Sequence, residues 1–265
     1  MTPDPVQPIS KRFGTLLNIA ISVIALSGVI ALQLYGHSQD SLLEKQLVTS
    51  ETYQKAVEAE QLRLQILKKL PTFGFNNLMA NWVFIQFLLY FGDEPAREVT
   101  GYHLNHEYFD LIIQRDPRWI DIYPFLSTAV SFYEAKPELT IQYINRGIQA
   151  LNPEIHPRGW VLWRYKALDQ LLLLGDVPGA IRSLSKTAEW VESQDPGLAE
   201  VFRNTARFLQ ENPDSTAPRF WAWTTVYYQS TDKFVRQRAK EEIIKMGGKV
   251  EETQTGEVQF IAPTR

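Results

Sequence analysis

The sequence predicts an all-α protein: a membrane-spanning helix at the N-terminus, then a stack of short helices. Two observations carry this. One is an uncharged stretch of 23 residues, Phe13 to Tyr35, and the other is a long region of helical segments broken at regular intervals by proline. No segment between Ala96 and Met246 alternates with a period of two, so no sheet is expected there. Hydrophobic residues make up 45% of the 265 positions, enough for a sizeable core.

Residues 1–12 form a short tail ending in Lys11-Arg12, and residues 13–35 follow without a charge. At about 1.5 Å per residue such a helix crosses a hydrocarbon layer of about 30 Å. A cleaved signal peptide has a shorter apolar region and small residues at its cut site, and Leu34-Tyr35-Gly36-His37 offers none. The basic pair lies directly against the N-terminal flank, whereas Lys45 and Lys55 are diluted by Asp40, Glu44 and Glu51. The expected orientation has a cytoplasmic N-terminus and the rest of the chain in a periplasm or thylakoid lumen.

Residues 36–50 read as a linker and 51–246 as the helical domain. In the first helix Tyr53, Ala56, Val57, Leu64 and Leu67 share a face, Leu62, Ile66 and Leu70 widen it, and Pro71 ends it. The next segment, Phe73 to Gly92, has no charged residue. Asn76, Asn77, Asn81 and Gln86 argue against a second membrane span, because amides are costly in lipid. A helix apolar on all sides is expected at the centre of the domain.

Beyond it, breaks fall at Asp116-Pro117, Ala135 to Pro137, Asn152 to Pro157, Gly175 to Pro178, Asp195 to Gly197, Asn212 to Pro218 and Gln229 to Thr231. Proline inside a helix start, with Asp, Ser or Thr before it, is the usual boundary. Pro117, Pro153 and Pro196 are spaced by 36 and 43 residues, near the period of helix-hairpin repeats. Residues 247–265 differ: Val250 and Glu252, then Val258 and Phe260, alternate around Gln254-Thr255-Gly256, which fits a small β-hairpin or a disordered tail.

The repeat helices carry a specific spacing. Asn105, Phe109 and Ile112 precede Pro117; Thr140, Ile144 and Gly147 precede Pro153; and Ala180, Leu184 and Thr187 follow a turn at Gly175. Positions i, i+4 and i+7 lie on one helix face, and small side chains there let a neighbouring helix approach. This pattern resembles the tetratricopeptide-repeat superfamily in degenerate form, over about residues 73 to 193, with Phe220 to Met246 similar to a further hairpin. The resemblance implies a right-handed array of antiparallel helix hairpins, an α-solenoid whose first helices line a concave groove. It implies a partner-binding groove at Tyr123, Ser127, Trp160, Trp163, Arg164 and Trp223. Proteins of this kind tethered to a membrane help assemble membrane complexes, photosynthetic and cell-envelope ones among them, so the implied partner is a membrane-complex subunit.

Other chemistry has weaker support in the residues. Net charge is −3 with no basic run, so nucleic acid is not an expected partner. With no cysteine there are no disulfides, thiolate metal sites or thiol nucleophiles. His103 and His106, with Glu107 and Asp110, could approach one another on a helix and hold a metal, although the spacing is not HExxH and no third ligand is evident. An envelope enzyme or metal protein built on His103, His106 and Glu107 is one rival reading. A lipid or small-ligand carrier using residues 73–92 as a wall is the other. Asp116 and Asp121 read as helix caps, and no motif nominates a catalytic residue or a cofactor.

Overall fold

The computed structural model describes Ser22, Val23, Leu26, Ser27, and residues 50–252 and 258–263. The chain divides into two compact units, Met1–Thr52 and Tyr53–Arg265. In the first, the four residues described before Ser50 are helical and exposed. The remainder of the expected membrane segment, 13–35, lies outside the described residues. Among those described, no helix is long and apolar enough to cross a membrane.

From residue 50 onward the chain is almost entirely helical. The α-helices are α1 (Ser50–Lys69), α2 (Asn76–Gly92), α3 (Glu94–Thr100), α4 (Asn105–Arg115), α5 (Tyr123–Leu126), α6 (Pro137–Ala150), α7 (Trp160–Asp169), α8 (Val177–Val191), α9 (Pro196–Glu211), α10 (Thr216–Gln229) and α11 (Lys233–Lys245). Two of them continue without a break into π-helical turns, α5 into Ser127–Phe132 and α7 into Gln170–Leu174. Their wider i→i+5 bonds run from Tyr133 N–H to the Thr128 carbonyl and from Gly175 N–H to that of Gln170. Gly175 sits in the left-handed region at φ 68°, which turns the chain into α8. Asp176 and Asp195 then cap α8 and α9, accepting from Gly179 and Leu198 N–H at 2.9 Å each.

Every position of the three small-residue triplets is buried: Asn105, Phe109 and Ile112 on α4; Thr140, Ile144 and Gly147 on α6; Ala180, Leu184 and Thr187 on α8. Gly147 is the closest of these approaches, because a Cβ there would lie 2.1 Å from the Tyr123 hydroxyl oxygen. Sequence neighbours pack on one another through α6, α7, α8 and α9, and α10 packs on α11. The apolar interior forms three clusters. The largest runs from α1 to the start of α7, with an aromatic spine in which Phe87 packs edge-on against Phe109 and Tyr108 and tilted against Phe91. A second joins α7, α8 and α9. The third joins Ala135 and Leu173 to α10 and α11.

The third cluster departs from a simple sequential stack. Helix α10 lies against both π-helical segments. Trp223, 1% exposed, donates its indole N–H to the Leu173 carbonyl at 3.1 Å. The chain thus covers with its own helix the surface that the repeat pattern leaves open. At the C-terminus β1 (Lys249–Glu252) and β2 (Val258–Ile261) pair antiparallel, with Val250 opposite Phe260, as the alternation predicts. Phe260 packs edge-on against Tyr227 of α10, 4.7 Å between centroids.

Candidate interaction surface

The expected groove residues divide into two groups. Tyr123, Ser127 and Trp223 are buried and line no surface, which corrects the expectation drawn from the repeat pattern. Tyr123 packs under Gly147 and donates its hydroxyl to the Pro117 carbonyl at 2.8 Å. Ser127 faces a carboxylate: its hydroxyl lies 3.1 and 3.2 Å from the two Asp169 oxygens, and that of Ser131 lies 3.0 Å from one of them. The physical reason differs by residue: Tyr123 packs beneath Gly147 of α6, Ser127 faces Asp169 of α7, and Trp223 lies against the second π-helical segment. Trp160 and Trp163 are half-buried, Trp160 against Phe202 and Trp163 edge-on to Trp190. Of the six only Arg164 is exposed, its guanidinium 5.6 Å from the Tyr165 ring centre. The six residues do not form one groove.

The histidine cluster is engaged in ion pairs. Glu134, 6% exposed, receives the backbone N–H of His106 at 2.9 Å, and its carboxylate lies 2.8 Å from His106 Nδ1 and 3.1 Å from the Lys136 ammonium. Glu107 binds Lys68 at 2.5 Å, Lys68 reaches Asp110 at 2.9 Å, and Asp110 holds Arg146 at 2.5 Å. Burial alone would lower the Lys68 ammonium, but the two carboxylates outweigh it and hold it above its ordinary range. Asp110 likewise stays below its ordinary range, because Lys68 and Arg146 overcome its partial burial. His103 lies apart and exposed, its Nδ1 3.0 Å from the Thr100 carbonyl. Among the described residues no three His, Asp or Glu side chains converge as a metal site.

The prominent surface lies instead on α1, α2 and the turn between them. The expectation that α2 is enclosed on all sides is wrong. Its core-facing positions are Ala80, Val83, Phe87 and Tyr90, while Leu78, Trp82, Ile85, Leu88 and Leu89 are exposed. The turn adds Phe75 and Phe73, the latter 86% exposed and held at φ 49° beside Gly74. On α1, Leu62, Ile66 and Leu70 are exposed too, and only Val57 and Leu64 are buried. Pro71, Phe75, Leu78, Met79 and Trp82 line an apolar cleft of about 420 Å3. A surface carrying this many large apolar side chains in sequence is the mark of an interaction site.

The bonds holding α1 in place are mostly polar. Arg115 donates to the carbonyls of Leu67, Lys68 and Leu70 at 2.8, 3.1 and 2.9 Å, and Tyr108 bonds Glu60. Sequence reasoning missed the α2 surface because the segment lacks a polar face to mark its wet side. The available signal was the cluster of Phe73, Phe75 and Trp82 with amides rather than charges between them. No protein-family profile, no curated protein and no solved structure matches this chain.

Proposed function

We propose that this protein is a membrane-anchored helical-repeat scaffold that holds a subunit of a membrane complex, and that it does so through the apolar surface of α1 and α2. The exposure of Phe73, Phe75, Leu78, Trp82, Ile85 and Leu89 on an uncharged stretch is the observation that carries this reading. Aromatic and large aliphatic anchors on rigid helices are what protein interfaces are built from. The uncharged segment 13–35 supports a tether, and tethering raises the module's effective concentration near membrane partners. The degenerate tetratricopeptide-like spacing supports a stacked-hairpin scaffold, and burial of all three of its small-residue triplets agrees with it. Crosslinking with mass spectrometry in native membranes tests the proposal. Crosslinks from the turn 71–78 to one membrane-complex subunit, retained on purification in mild detergent, are expected; a chain that purifies alone and crosslinks to nothing overturns it.

The apolar cleft at Pro71 to Trp82 favours one rival, an acyl-chain carrier. Co-purified lipid at a fixed ratio, with no protein neighbour, is the result that would select it.

A further inference from the structure

A second cleft, of about 260 Å3, opens between α1, α2 and α3. Tyr53, Val57, Leu89, Glu60, Arg63 and Arg97 are among its lining. Its two arginines differ in what surrounds them. Arg63 is neutralised by Glu60 at 2.5 Å, and its guanidinium stands 5.0 Å from the Trp82 ring centre. Arg97 is 4% exposed, and among the described residues no carboxylate pairs with it. One of its nitrogens, Nη1, donates to the Gly101 carbonyl at 3.2 Å, while Nε is buried with no acceptor.

Among the described residues no carboxylate lies within ion-pairing distance of Arg97. Its guanidinium lies 3.6 Å from the centre of the Tyr90 ring. Burial pushes the Tyr90 hydroxyl up to about 12, against the pull of Arg97, so the phenol is neutral and meets the guanidinium without a counter-charge. That hydroxyl is itself committed to backbone, accepting from Leu104 N–H at 3.3 Å and donating to the Gly101 carbonyl at 3.4 Å. Asp93, on the cleft wall, accepts from Ala96 N–H as the cap of α3. A buried guanidinium with an unused donor is costly unless an anion meets it.

We propose that this cleft binds a small organic monocarboxylate, its carboxylate against Arg97 and its apolar body against Tyr53, Val57 and Leu89. A single negative charge fits because only one of the two arginines is unneutralised. A phosphate dianion would leave surplus charge beside Glu60 and Asp93. The apolar wall requires a carbon skeleton rather than an inorganic ion, and the volume admits a ligand about the size of a single aromatic ring with a side arm. The inference stands apart from the scaffold reading, since it uses a different cleft and shares with that surface only Leu89.

Isothermal titration of the full chain in neutral detergent with phenylacetate, and with phenylacetamide as its uncharged counterpart, tests this. Phenylacetate is expected to bind with a Kd of about 1 mM or tighter, and phenylacetamide about tenfold more weakly. The Arg97 Nε–H resonance should shift with phenylacetate alone. Arg97→Met should abolish the difference between the two probes. Ala56→Leu, which fills the cleft from an exposed helical position and leaves Arg97 intact, should abolish binding with the fold retained, and so decides the matter if the arginine variant does not fold. Equal binding of the two probes, binding that survives Ala56→Leu, or no binding of phenylacetate at about 10 mM overturns the proposal.

Discussion

The hydroxyl of Ser127 lies 3.1 and 3.2 Å from the two carboxylate oxygens of Asp169, 42 residues further along the chain. The pair joins the first π-helical segment to the end of α7, and Ser131 and Thr140 extend it, their hydroxyls 2.8 Å apart. Asp169 is 1% exposed and has no cation beside it among its bonding partners.

Stability should therefore depend on pH through Asp169. Burial pushes its carboxyl up to about 7, with the Ser131 and Ser127 hydroxyls pulling the other way. The folded state then holds a proton that the unfolded chain, with an ordinary value of about 3.9, releases. Between these values the native state binds more protons, so stability falls as pH rises from about 4 to about 7 and is flat above. The full effect is on the order of 2–4 kcal/mol. Asp169→Asn should remove this slope and exceed the parent in stability at pH 8; urea denaturation of both proteins at several pH values checks it.

Leu78→Glu combined with Leu89→Glu should separate binding from folding. Both side chains are exposed, so the change in stability should stay within about 0.5 kcal/mol for each. Under the proposed function, crosslinks to a partner subunit should disappear. A thermal melt and the crosslinking experiment, run on the same preparation, report the two effects separately.

Gly147→Ala sets two effects against each other. Alanine gains about 1 kcal/mol of helix propensity over glycine. A Cβ at this position would lie 2.1 Å from the Tyr123 hydroxyl oxygen and 2.6 Å from a Leu162 methyl carbon, far inside contact distance. Forced repacking costs about 1–3 kcal/mol and a clash this deep belongs at the upper end, so the variant should be less stable by about 1–2 kcal/mol. Denaturant unfolding gives the sign directly.

Trp223 and Arg164 should respond in opposite ways. Trp223→Phe removes the bond to the Leu173 carbonyl and leaves that carbonyl buried, at a cost of about 1–3 kcal/mol. Arg164→Ala, on an exposed position, should change stability by no more than about 0.5 kcal/mol. The same unfolding assay distinguishes a core tryptophan from a surface arginine.

Much of the fold was legible where chemistry is local. Proline after aspartate marked the starts of α8 and α9, and the i, i+4, i+7 triplets marked the faces that became buried. The alternation around Gly256 marked the terminal hairpin. What failed depended on distant partners. Nothing local says that α10 comes back over the π-helical segments, or that Tyr123 sits beneath Gly147, because those contacts join residues distant in sequence. Tyr123 and Trp223 were therefore assigned to a surface when they belong to the interior. In α2 every position is apolar or an amide, so the pattern could not say which side remains wet. The Arg97 cleft was hidden for a similar reason: Arg97 meets Tyr90 across the break at Gly92-Asp93, and helical spacing does not predict pairs across a break.

The way α1 is fastened gives it a character unlike the rest of the domain. Lys68, held between Glu107 and Asp110, and Arg115, gripping three carbonyls at the helix end, do work that Val57, Leu64 and the partly buried Leu67 share from the apolar side. Charged clasps weaken with ionic strength, whereas oily contacts do not. The first helix is thus a latch that salt can loosen ahead of the body behind it.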